Sequence, residues 1–106
     1  MRAPSVFILV LTLLTPVAAG AQERGEPGAG RAYAETACAE YHAVLRGETE
    51  SRYLEATAFG AIANTPGMSG TAISVWLQTS HPNMPNIMLK PDDMHDVIAY
   101  ILSLKD

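Results

Sequence analysis

The chain has 106 residues, room for a single domain, and a net charge of −4. That acidity excludes a nucleic-acid binder, and 48% hydrophobic residues exclude a disordered acidic tail. A single cysteine, Cys38, excludes an internal disulfide.

Arg2 is the only charge before Glu23, and between them runs the apolar stretch Val6–Leu14, then Pro16 and Ala18-Ala19-Gly20-Ala21. A positive start, a short apolar core and a small-residue cleavage site predict an export signal over 1–21, cut before Gln22. A membrane anchor is the competing reading, but the run is too short to span a bilayer comfortably. Cleavage leaves 85 of the 106 residues, and losing Arg2 takes the net charge to −5. The expected location is periplasmic, with no stable membrane span after processing. An exported domain of this size has a marginal core and usually needs a staple. Lone Cys38 is then a free thiol, an intermolecular bridge or the anchor of a covalent cofactor. A large apolar cofactor would supply the missing burial.

Residues 22–29 hold Gly25, Pro27 and Gly28 among charges and read as a flexible N-terminus. From Gly30 the good helix formers Arg31, Ala32, Ala34, Glu35, Ala37 and Ala39 predict a first helix ending at the Cys38–His42 stretch. Helical spacing puts Tyr33 toward the same core as Cys38. An exit loop follows, with Gly47 available for positive φ. A second short helix is expected over Leu54–Asn64, with Leu54, Ala58, Ala61 and Ile62 as its apolar face and Phe59 beside it. The Pro66-Gly67 turn ends it. Ser69 or Thr71 caps a third helix running to Gln78, whose apolar content is Ile73, Val75, Trp76 and Leu77. Residues 79–86 form a loop whose two prolines bar a helix interior.

The last segment carries the clearest pattern. Pro91 takes the first helical position, and Asp92, Asp93 and Asp96 lie near the positive end. Met94, Val97, Ile98, Ile101 and Leu102 form one stripe, flanked by Tyr100. Lys105 falls at the negative end. No segment alternates with period two, so the fold class is all-α.

Cys38-Ala39-Glu40-Tyr41-His42 differs at one position from the haem-attachment signature Cys-x-x-Cys-His, in which two thioethers bind the vinyls and the histidine ligates iron. Alone, Cys-x-x-x-His also arises by accident, with the cysteine a small buried hydrophobe and the histidine solvated. Two helices further on, His81-Pro82-Asn83-Met84-Pro85-Asn86 delivers a thioether sulfur from a constrained loop. A histidine and a methionine on opposite faces of the iron are the ligand pair of electron-transfer cytochromes c.

Taken together, these motifs resemble a small bacterial class I cytochrome c. The matching parts are Gly30–Ala34 leading into Cys38–His42, Ile62–Met68, Val75-Trp76-Leu77, His81–Pro85 and Asp96–Ile101, which cover most of the chain after residue 29. The resemblance implies short helices wrapped around one haem c, with the first and last helices crossing through Gly30, Tyr33 and Tyr100. It implies Cys38 as the attachment cysteine, His42 as proximal ligand and Met84 as distal ligand. It also implies that the other ring nitrogen of His42 donates to a backbone carbonyl. In the family that carbonyl commonly belongs to a proline of the following loop. No proline stands between His42 and Pro66, so the acceptor stays unassigned. The function implied is a monomeric one-electron carrier that docks on redox protein partners of the cell envelope. The acidic charge favours a neutral or basic docking face and a salt-dependent on-rate.

Tyr41 is the departure, because no second thioether can form there. Three outcomes stay open: one thioether at Cys38 with both axial ligands kept, haem held without a covalent bond, or no haem. The tyrosine ring either packs beside the free vinyl or displaces the haem. The alternative function is a haem-free relic, either a soft copper site of Cys38, His42, His81 and Met84 or a protein that dimerises through its thiol. Elsewhere the bland readings hold. His81 is expected to be a solvated loop residue and His95 an exposed one. Met68 and Met94 are core filler, and Met88 is a lesser rival to Met84. Trp76 is expected to pack in the core at the haem edge, and Glu48, Glu50 and Glu55 form a solvated face. No paired carboxylates, nucleophile–base pair or phosphate loop points to an enzyme.

Overall fold

The computed structural model describes residues 1–14, 25–79 and 88–106. Among them are four helices and no strand, so the all-α expectation holds. The helices are α1 (Pro27–Ala37), α2 (Phe59–Ala63), α3 (Gly70–Gln78) and α4 (Pro91–Ser103). Residues 1–14 carry no helix and are exposed. No helix among the described residues is long and apolar enough to cross a membrane.

Helix α1 begins at Pro27, three residues before the expected Gly30, which takes 27–29 out of the stretch read as flexible. The fixed φ of proline suits the first turn, where its missing N–H costs nothing. Glu26 supplies no side-chain cap, but its backbone N–H donates to Asp96 Oδ1 at 2.8 Å. Asp96, expected to serve the dipole of its own helix α4, thus places a negative charge at the positive end of α1.

Helices α1 and α4 make the most extensive contact in the fold. Gly30 sits at its centre, where a Cβ would lie 1.9 Å from the carbonyl oxygen of Asp96 and 2.8 Å from Tyr100 Cβ. Only a residue without a side chain lets the two backbones approach this closely. The α4 stripe faces inward as its spacing requires: Val97, Ile98 and Ile101 are buried, with Met94 and Leu102 packed half-buried against them. Tyr100 is also buried. Lys105 lies beyond the C-cap, Leu104, rather than in the last turn.

Helix α3 matches its expected span, and Ser69 Oγ accepts from Ala72 N–H at 3.1 Å. Only Ile73 of its apolar residues is buried; Val75 and Trp76 are 55% and 59% exposed. Trp76 is therefore a surface residue among the described residues, not the core residue expected. Helix α2 is shorter than expected. Residues 54–58 are not helical, Ala58 is extended, and Leu54 is 94% exposed instead of lying on an apolar face. The reason is a competing bond. Phe59 N–H donates to Ala43 O at 2.8 Å, drawing 54–58 back across the residues after His42. Gly47 and Gly67 adopt positive φ, +84° and +76°, at the turns that need it.

Gly30→Ala sets two effects against each other. Ala is favoured in a helix by about 1 kcal/mol over Gly. Overpacking a close contact costs about 1–3 kcal/mol, and here the obstacle is backbone that cannot rotate away. The clash wins, so Gly30→Ala lowers the thermal midpoint. Gly28→Ala, which meets nothing within 4 Å, does not. Circular-dichroism melting of both variants checks the contrast.

Candidate functional site

The site is built where α1 ends. Ala34 O accepts from Cys38 N–H, and Cys38 O then accepts from both Tyr41 N–H (3.1 Å) and His42 N–H (2.9 Å). A tight turn therefore fixes how Cys38, Tyr41 and His42 stand relative to one another. Cys38 is half-buried and packs against the core with Tyr33, as the helical spacing suggested.

His42 is oriented from the following loop. Its Nδ1 lies 2.6 Å from Thr57 O. A carbonyl oxygen only accepts, so Nδ1 carries the proton and donates. Nε2 is then the nitrogen with a lone pair, the form in which imidazole ligates a metal. The acceptor that the missing proline left unassigned is thus the carbonyl of Thr57. Sequence reasoning had no means of finding it, because the group is main chain and any residue type carries one.

The loop that brings Thr57 to His42 is pinned along its length. Ala43 N–H donates to Ser51 Oγ (2.9 Å), Tyr53 N–H to Tyr41 O (3.2 Å) and Phe59 N–H to Ala43 O (2.8 Å). The hydroxyl of Tyr100 donates to Val44 O at 2.5 Å, which ties the start of the loop to α4. Phe59, buried, stands between the two anchors, its ring centroid 5.4 Å from that of His42 and 6.4 Å from that of Tyr100. Such separations suit tilted aromatic contacts. The bond from Phe59 N–H to Ala43 O, not the helix face that its spacing predicts, sets Phe59 against His42. Tyr41 is held likewise, its ring 5.3 Å from that of Tyr53 at 58°.

Ile62, Met68, Leu77, Leu89 and Met94 are half-buried against the hydrophobic core, the role expected for Met68 and Met94. Met88 is 94% exposed. Glu48, Glu50 and Glu55 are exposed, as a solvated face requires. His81 and Met84 lie outside the described residues. Among the described residues, no cluster of three or more His, Cys, Asp or Glu side chains is placed to hold a metal ion by itself. Of the candidate ligands, Cys38 and His42 share one turn, closed by the bond from His42 N–H to Cys38 O. Comparison with family models, with curated proteins and with solved structures finds no match to this chain.

Burial pushes the Cys38 thiol up to about 11. The neutral thiol is therefore the folded-state form at neutral pH. A raised value means that the stability tied to this thiol is complete below pH 9 and is lost as pH rises through 11. Since the thiolate is the nucleophile, Cys38 of cofactor-free folded protein should alkylate about 100-fold more slowly at pH 8 than an unperturbed thiol. Its rate should climb toward pH 11. Iodoacetamide labelling followed by intact-mass measurement across pH 7–11 checks this.

Proposed function

We propose that this chain is an exported c-type cytochrome that carries single electrons in the cell envelope, with haem held by Cys38, His42 and Met84. The observation that carries the reading is the 2.6 Å bond from His42 Nδ1 to Thr57 O. It fixes both the tautomer and the ring orientation of the residue that the motif nominates as proximal ligand. A solvated histidine has no need of such a bond from a loop pinned at Ala43, Tyr53 and Phe59.

The residues present fit the group. Cys38 Sγ is set by the same turn as His42 and would form the one thioether the sequence allows. His42 Nε2 would ligate the iron. The half-buried Ile62, Met68, Leu77, Leu89 and Met94 and the exposed Val75 and Trp76 offer apolar surface of the kind a porphyrin covers. Met84 is assigned as distal ligand from its Pro82-Asn83-Met84-Pro85 setting in the sequence. When bound, the haem supplies a one-electron couple, and a methionine ligand raises its potential. The chain's own part is binding, orientation and electrostatics. Thr57 O holds the proton on Nδ1, and the acidic surface steers the protein to a neutral or basic partner face. The contact of α1 with α4 at Gly30 is in keeping with a small class I cytochrome c fold. The leader over 1–21 and periplasmic residence belong to the same proposal.

The thiol-dimerising alternative fits the observations less well. Disulfide exchange proceeds through an exposed thiolate, whereas Cys38 is half-buried and its thiol is pushed up.

A pyridine haemochrome spectrum of protein matured in an envelope with cytochrome c assembly tests the proposal. One thioether places the band between the two-thioether and no-thioether positions, while protein free of haem sinks the carrier reading. Tyr41→Cys should shift the band to the two-thioether position. Met84→Ala should lower the potential and free the sixth coordination position, and an unaltered spectrum would show that another residue is the distal ligand.

A further inference from the structure

The Tyr41 ring has an aromatic partner that a cysteine at this position would lack, on a backbone held at both ends. Its backbone N–H donates to Cys38 O at 3.1 Å, and its carbonyl accepts from Tyr53 N–H at 3.2 Å. Its ring meets the ring of Tyr53 at 5.3 Å and 58°. Main chain and side chain are thus both fastened to the segment that also delivers Thr57 to His42. Tyr53 is itself 50% exposed. Half of its surface is left uncovered, and Tyr41 is half-buried beside it.

We propose that the Tyr41–Tyr53 pair is a non-covalent clamp for the unattached vinyl edge of the haem, with Tyr41 as the contacting ring and Tyr53 as the positioning residue behind it. The inference rests on the cytochrome reading of Cys38 and His42. The turn closed on Cys38 O sets the spacing from the tether at residue 38 to the side chain at residue 41. In the attachment motif the second sulfur stands at that position. A phenol ring is longer than a thiol, and left free it would enter the space of the porphyrin. Its contact with the Tyr53 ring, 5.3 Å away, limits where it can lie, and in the clamp it serves as a wall. A vinyl group that forms no thioether is an apolar substituent needing apolar cover, and an aromatic face supplies it without a covalent bond. The clamp forms and breaks no bond, so it needs no reagent beyond the haem itself. On this account the site is constructed for one tether rather than left short of a second.

The test uses the matured holoprotein in its reduced, low-spin state, read by proton NMR. Nuclear Overhauser contacts should link the protons of the free vinyl to the ring of Tyr41. Tyr53→Leu should move the free-vinyl resonances by tenths of a part per million and leave those beside the Cys38 thioether in place. Tyr53→Phe, which keeps the ring, should restore the wild-type positions. A free vinyl with no contact to the Tyr41 ring, or one indifferent to Tyr53→Leu, overturns the clamp while leaving the carrier reading standing. Wild-type protein that holds no haem overturns both, and the haemochrome spectrum tells this apart from failure of the clamp alone. Should Tyr53→Leu not fold, the wild-type contacts decide the matter.

Discussion

The close approach of α1 to α4 at Gly30 is the constraint on which the rest of the structure depends. Backbone meets backbone there, so no side-chain rearrangement can relieve a change. Asp96 serves the contact twice, with its carbonyl against Gly30 and its carboxylate on Glu26 N–H at the head of α1. Tyr100 lies against Gly30 on one side and gives its hydroxyl proton to Val44 O on the other. From that point the order passes along the chain. Val44 is anchored, its neighbour Ala43 accepts from Phe59 N–H, and the segment between them carries Thr57 to His42.

Main-chain carbonyls do most of the positioning. Cys38 O sets the turn, Ala43 O sets Phe59, Val44 O receives Tyr100, and Thr57 O orients His42. Each such bond contributes about 1 kcal/mol net, and leaving one partner buried and unpaired costs about 1–3 kcal/mol. Val44 near one end of the 43–58 loop and Ala58 and Phe59 at the other are buried, which anchors both ends on the core. The polar bonds choose the loop's conformation. A large apolar group seated on the site would add burial of the kind a domain of this length otherwise lacks.

That arrangement explains which expectations came through and which did not. The α4 stripe was legible because one long helix with a strong 3.6-residue period buries the same face in any packing. The Ser69 cap and the turns at Gly47 and Gly67 were legible because a local rule decides them. Helix α1 starts at Pro27 because proline suits the first turn and Asp96, distant in sequence, accepts from Glu26 N–H. The expected helix from Leu54 failed because a bond to Ala43 outweighed local propensity. Trp76 has a core-like identity and a helical period that places it equally well inside or out. Which side it takes depends on what else covers α3.

The sequence by itself determined the residue types of the proposed haem site. These are one cysteine, a histidine four residues on, a tyrosine between them, and a methionine in a proline-bounded loop. It also determined the all-α class, because its periodicities are short-range properties of the chain. Only the tertiary structure decided how His42 is held and what surrounds Tyr41. Thr57 and Tyr53 reach those residues from 15 and 12 positions away. They do so through a carbonyl oxygen that every residue possesses and through a ring contact that no spacing rule encodes. Such partners become visible only when the chain has closed on itself, and here it closes at Gly30.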